Sequence, residues 1–403
     1  MKSYSTLSKL SVVTAALMLF SACSKNEDVT PNNIMAYRND NSQSQSLYVT
    51  TISTDMVLED RVSGVDYTIA NNIQVNANLT IKPGVTVAFK DGAGIQVNEQ
   101  GSLTAIGANG NVILFTSATD KRSGWKGITI LNSNARNVIS YCRVEQGGAA
   151  NSFGTGNIIV GSKDKTGEVE ISYSEITASG NNGILIAEGS KVHGFTGNKI
   201  HTNSSFPVSM HITDAANMTD GNQMVNNGKE FIQVTGDARF TITKEISLKK
   251  LNESFLVSGM IVAGNKFCVA AGSRVYMDNG AEIIIDGYTG QGTFCAIGSA
   301  SSPISIAAIY NGTGMWKNIR FRASESNQNR IEYCTISGGG ASDGSHAQGM
   351  ISVVDNATIV IRNSTIINSA ATGIYLEANA AYNNDILSGN TFSNNVLGNV
   401  HFE

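Results

Sequence analysis

Two near-identical phrases, VISYCRVEQGG (Val138–Gly148) and RIEYCTISGGG (Arg330–Gly340), each set a cysteine between a tyrosine and a polar strand. Cysteine in polar company is a candidate nucleophile. Neither phrase contains a histidine, however, and no helix N-terminus is visible to lower the thiol's pKa. The second half of the chain offers other reactive types: Arg320 and Arg322, Tyr375 and Glu377, with Asp343 and His346 in the turn SGGGASDGSHAQ and Trp316-Lys317 just ahead of the arginines. Arginine gives fixed donors for a carboxylate, tyrosine a flat face for a sugar ring, and glutamate an acceptor. A base with a cation to hold an enolate, roles open to Lys317 or Arg320, would make an eliminating enzyme. Asp343 and Glu377 suggest the carboxylate pair of a hydrolase, which needs a separation of about 5 to 9.5 Å. The 5 histidines lie apart without ligand spacing, and HExxH, GxSxG, P-loop and CxxC patterns are missing. No metal or cofactor is expected.

Composition narrows the field. A formal net charge of −4 and the lack of a dense Lys/Arg stripe argue against a nucleic-acid partner. Hydrophobic residues make up 41% and charged residues 15%, so the chain can bury a core. The first residues form a targeting segment: Lys2 and Lys9, then the apolar run Leu10 to Phe20, too short for a stable membrane span. That run ends in FSAC, which resembles a bacterial lipobox and implies a diacylated Cys23; the alternative is an ordinary secretory signal. The following SKNED resembles the surface-export tag of Bacteroidetes lipoproteins. The expected address is therefore the outer membrane, facing the cell surface, with lipid as the only membrane anchor.

Repetition then decides the architecture. GSLTAIGANGNVILFTSATDKRSGWKGITI (Gly101–Ile130) is echoed by GTFCAIGSASSPISIAAIYNGTGMWKNIRF (Gly292–Phe321), and Trp125 answers Trp316. Within each copy runs a shorter phrase. Ile139–Val144, Ile171–Ile176 and Phe195–Ile200 are matched by Ile331–Ile336, Ile361–Ile366 and Leu387–Phe392. Each has an apolar residue, a small or polar residue three places on, and a second apolar residue two beyond. Their spacings are 32 and 24, then 30 and 26. Between them lie short strand-like runs such as GITI, NIIV, GILI, NIRF and GIYL, bounded by turn residues. Such strands cannot each own a core, but stacked coils bury a continuous one. The expected fold is all-β, a right-handed parallel β-helix with two diverged copies stacked end to end. The division runs 1–22 signal peptide, 23–50 lipidated cysteine and tether, 51–235 copy one, and 236–403 copy two.

From about Val65 onward the phrases LFTS, WKGI and FTGNKI resemble those of secreted bacterial right-handed β-helix repeat proteins of the pectate-lyase-like superfamily. This resemblance is specific for fold and says little about activity. It implies tight bends where asparagines stack in a ladder. Cys142, Ser174, Asn198, Cys334, Ser364 and Asn390 share that slot, so the two central cysteines are read as small buried rungs. Cys268 and Cys295 align instead with Thr80 and Thr104. Each follows a phenylalanine, so alternation turns the sulfurs outward on successive coils. In an oxidising envelope that arrangement invites a disulfide, the alternative being two free thiols.

The resemblance further implies that a ligand would lie along the G-I-x-I strands. Outward residues there are Thr129, Leu131, Ile159, Leu185 and His211 in copy one, largely apolar. In copy two they are Arg320, Arg322, Val353, Tyr375, Glu377 and His401. A ligand site in copy two follows, although the recurrence of Trp125-Lys126 argues that Trp316-Lys317 merely seals a turn. The expected function is a non-catalytic glycan-binding or adhesive envelope lipoprotein with a polysaccharide partner. A lyase or glycosidase on acidic polysaccharide and a structural envelope scaffold are the alternatives.

Overall fold

The computed structural model describes residues 43–236, 240–342 and 349–403. The signal segment, Cys23, Asp343 and His346 lie outside the described residues. Among those described, no helix is long and apolar enough to cross a membrane.

Short strands follow one another around a right-handed parallel β-helix, and each pairs in parallel with its counterpart one coil away. In copy one they build three sheets. Sheet I has eight strands, from Gln45–Leu47 to Gln223–Val225. Sheet II begins at Thr51–Ile52. Sheet III has six strands, from Met56–Leu58 to Lys191–Thr196. Pairing thus begins at Gln45, ahead of residue 51. The one helix among the described residues is a single 3-10 segment, Ile212–Asn217, which no periodicity announced.

The core is a column of β-branched and aromatic side chains. Ile113 stacks on Cys142, Phe115 on Val144, and Ile128 on Ile95 and Ile158, all essentially inaccessible. Alternation along each strand sends every second residue inward, so parallel registry stacks like on like. Each coil alone would expose this face. Only neighbours on both sides make it dry.

The bends work as the sequence suggests. Tyr141, Tyr173, Tyr333 and Asn363 adopt φ near +50°, and Gly197 takes the same corner at φ +68°. The next residue accepts the backbone N–H of its neighbour a coil away. Cys142 N donates to Ser174 Oγ at 3.1 Å, Ser174 N to Asn198 Oδ1 at 3.0 Å, and Asn198 N to Asn222 Oδ1 at 3.1 Å. Copy two repeats this with Cys334 N to Ser364 Oγ and Ser364 N to Asn390 Oδ1. A second ladder, Ser179 N to Asn203 Oδ1 and Asn203 N to Asn227 Oδ1, serves the neighbouring bend. Each rung satisfies a buried donor that the bend removes from the sheet. The last phrase departs from its pattern: Leu387 is half exposed and Ile386 fills the core instead.

The two copies are joined by one sheet. Sheet II runs on from Phe231–Thr235 to Ser254–Ser258 and ends at Thr391–Ser393 after 14 strands. Sheets I and III stop, and two six-stranded sheets start in their stead. Sheet IV runs from Ile246–Leu248 to Ala381–Tyr382, and sheet V from Met260–Ala263 to Val400–Phe402. The strand types are displaced by one face at this junction. Ile113–Ser117 lies in sheet I, whereas its copy-two counterpart Ile304–Ala308 lies in sheet II. Ile128–Ile130 lies in sheet II, whereas its counterpart Ile319–Arg322 lies in sheet V. Copy two therefore does not present its G-I-x-I strands above those of copy one.

Candidate functional site

Sheet V carries the candidate residues. Ile284, Arg320, Ser352, Tyr375 and His401 form one outward ladder, and Asp286, Arg322 and Val354 form the next. Val353, expected to face outward, stacks instead on Phe321 and Leu376 inside the core, because the strand Gly349–Val354 starts earlier than the spacing suggested. In copy one Thr129, Ile159 and Leu185 do share an outward ladder, continued by Ser209 rather than His211. The turn before them folds back over this face: Asn151 donates to the Thr129 hydroxyl at 3.1 Å, and Thr129 and Ile159 are inaccessible.

Both arginines are committed to buried carboxylates. Arg320 Nη2 donates to Glu282 Oε1 at 2.7 Å, and Arg322 Nε donates to Asp286 Oδ1 at 2.8 Å. Glu282 and Asp286 are 1% and 0% exposed, so these pairs are partly desolvated and tightly held. Lys317 Nζ lies 3.7 Å from Glu282 Oε2. The Asp286 carboxyl also accepts from the Thr289 and Thr241 hydroxyls. Burial works against its charge, but Thr289 and Arg322 more than offset that and hold its pKa below the ordinary value.

Two candidate rings are turned away from the surface. Trp316 is wholly buried and its indole N–H donates to the Ser337 carbonyl at 2.9 Å, as Trp125 does to Glu145. Both tryptophans wall the long turn, and Gly339 gives Trp316 room, since a Cβ there would come within 2.7 Å of its ring. Tyr375 is 5% exposed, stacked on His401 at 5.5 Å, with its hydroxyl donating to Glu403 at 2.5 Å. That carboxylate, with burial, pushes the phenol up to about 12. Neither ring is a platform for a sugar.

What the fold does assemble is a depression of about 250 Å³ lined by Tyr288, Arg320, Arg322, Val354, Asp355 and Glu377. Arg320, Arg322 and Glu377 were legible candidates; Tyr288 and Asp355 were not. Tyr288 is 64% exposed, and its hydroxyl is hydrogen bonded to Asp355. Glu377 Oε2 accepts the Asp355 N–H at 2.5 Å, which fixes the carboxylate at the rim. Behind the rim, Arg320 Nε, Glu282 Oε2 and both polar atoms of Asn318 have no hydrogen-bond partner. The lining thus combines the donors Arg320 and Arg322 with the acceptors Asp355 and Glu377, and the arginines' charges are already met by Glu282 and Asp286.

The central cysteines are rungs rather than nucleophiles. Cys142 and Cys334 are buried, and burial pushes each thiol up to about 12. Cys268 and Cys295 are directly opposed on adjacent strands of sheet IV, with Cα atoms 4.6 Å apart, and are joined in a disulfide. Among the described residues no group of His, Cys, Asp and Glu could hold a metal ion. Compared with family models, curated proteins and solved structures, the chain matches none of them.

Proposed function

We propose that this chain is a lipid-anchored, non-catalytic envelope rod that binds an uncharged sugar at the sheet V depression. The observation that carries the reading is the alternation of donors and acceptors around the exposed Tyr288 ring. Arg320 and Arg322 keep N–H groups beyond those given to Glu282 and Asp286, while Asp355 and Glu377 supply acceptors. A vicinal diol, each hydroxyl both giving and taking a hydrogen bond, complements such a wall. A uronate does not, because the guanidinium charges are already matched and two further carboxylates stand at the rim. The alternative of an enzyme on acidic polysaccharide thereby loses the support of Arg320 and Arg322. The lipobox-like FSAC and the SKNED that follows support the envelope location, with Cys23 as the anchor and copy one as a stalk.

Asp355 and Glu377 at one depression also favour a second reading, a glycoside hydrolase using that pair in place of Asp343 and Glu377. A panel of neutral and acidic glycans, screened for binding and for new reducing ends or unsaturated products, separates the cases. Binding of neutral oligosaccharide without products, lost in Tyr288→Ala, is expected. New reducing ends abolished by Glu377→Gln would establish the hydrolase, and binding confined to polyanions would refute both. Anchoring is tested by incorporation of labelled palmitate, present in the wild type and absent from Cys23→Ala.

A further inference from the structure

The disulfide of sheet IV lies at the surface, and its two sulfurs are not equally approachable. Phe267 and Phe294 point inward, fully buried with ring centroids 5.4 Å apart, which turns Cys268 and Cys295 outward, half-buried. Along this outward ladder the order is Ser247, Cys268, Cys295, Arg330. A groove of about 450 Å³ opens beside Cys295, lined by Lys266, Cys295, Ile297, Asn327, Gln328 and Arg330. Cys268 is not part of its lining.

Attack on a disulfide proceeds along the sulfur–sulfur axis, from the side opposite the leaving sulfur, and gives a mixed disulfide. On the ladder, Arg330 is the residue one coil beyond Cys295, and Ser247 the residue one coil beyond Cys268. An incoming thiolate that enters the groove therefore reaches Cys295 beside the Arg330 guanidinium and the exposed Lys266 ammonium, both part of the groove's lining, whereas Cys268 lies outside that lining. Glu332, paired with Arg330, offsets part of this charge, and the groove's lining contains no acid.

We propose that Cys295 is a site of reversible S-thiolation by small anionic thiols. A carboxylate-bearing thiolate attacks Cys295 Sγ, a new sulfur–sulfur bond forms there, and the bond to Cys268 breaks. Cys268 leaves as a thiolate, carrying the electron pair and later taking a proton from water. The β-ladder keeps Cys268 opposite, so its return attack expels the small thiol and restores the original bridge. The net reaction consumes no oxidant.

The test uses the full chain with 3-mercaptopropionate and, at equal thiolate concentration, neutral 2-mercaptoethanol. Samples are quenched with iodoacetamide and mapped by mass spectrometry. The expected product carries the propionate adduct on Cys295 and the alkyl group on Cys268, formed several-fold faster than with the neutral thiol. Lys266→Gln should reduce that advantage, and raised salt should reduce it in the wild type without any substitution. Adducts on Cys268, adducts shared evenly, equal rates for the two thiols, or no adduct at all would each overturn the proposal.

Discussion

Ile113 and Ile304 occupy the same place in the two copies yet stand in different sheets, Ile113 in sheet I and Ile304 in sheet II. Among the described residues sheet II alone has strands on both sides of the junction, through Ile232 on Phe255 and Val234 on Val257. In a stacked solenoid, stability is close to a sum of coil and interface terms, so a weak interface divides the cooperative unit. Phe255→Ala removes a fully buried ring at that interface, at a cost of about 3–5 kcal/mol. Calorimetry should show one transition in the wild type and two in this variant. Phe89→Ala, deep within copy one, should lower stability without separating the copies.

Arg320 and Glu282 should behave as a unit. Arg320→Ala leaves a carboxylate that is 1% exposed with only Lys317, 3.7 Å away, as a cation, so the loss should fall below the about 3–5 kcal/mol that breaking a fully buried pair costs. Arg322 is 33% exposed on its side chain, so solvent screens the loss and Arg322→Ala should cost less. Pairing Arg320→Met with Glu282→Leu should recover most of the stability that Arg320→Ala loses. Urea midpoints across the cycle measure this. A double variant whose loss equals the sum of the two single losses would mean the two residues are not coupled.

How much of this was legible depends on whether the signal lay within one coil or between coils. The bend is local: a hexad fixes the corner residue and the rung, and Cys142, Ser174 and Asn198 fall into place. Asn222 escaped because Met218 and Thr219 blur the front of its phrase, yet the Gly-Asn pair shared with Gly197-Asn198 and Gly389-Asn390 was readable. The partners of Arg320 and Arg322 were not readable. Glu282 and Asp286 sit 38 and 36 residues earlier, and only the registered coil brings them opposite. Tyr288 enters from a turn, where no strand period fixes direction. The one-face displacement at the junction shows only in the pairings, where Ile246–Leu248 opens sheet IV instead of extending sheet III.

Acid should weaken the sheet V end through Asp286. Its folded pKa lies below the ordinary 3.8, so the stability it contributes is present above the unfolded value and is lost as pH falls through the folded one. The window therefore lies below about pH 4. Urea midpoints should be flat from neutral pH to there and then fall. Asp286→Asn should lower stability at neutral pH and flatten part of that fall. A midpoint that drops equally in both proteins would place the titrating group elsewhere.

The rungs make a sharper claim about the cysteines. Ser364 accepts the Cys334 N–H and gives its own hydroxyl to the Arg362 carbonyl at 2.9 Å, so Ser364→Ala orphans the buried Cys334 N–H, while the Arg362 carbonyl keeps the Tyr333 N–H. Each buried group left unpaired costs about 1–3 kcal/mol. Ser364→Asn keeps the acceptor and follows the chemistry of Asn198, so it should be far milder. With thiols raised to about 12 and no access from water, Cys142 and Cys334 should alkylate only when their coils open. Ser364→Ala should then accelerate labelling of Cys334 more than that of Cys142, because opening is local in a stack of coils. Iodoacetamide labelling followed by peptide mapping reads both rates in one experiment. Equal acceleration would mean that the solenoid opens as a single unit, and unchanged rates would mean that Ser364 does not hold the bend.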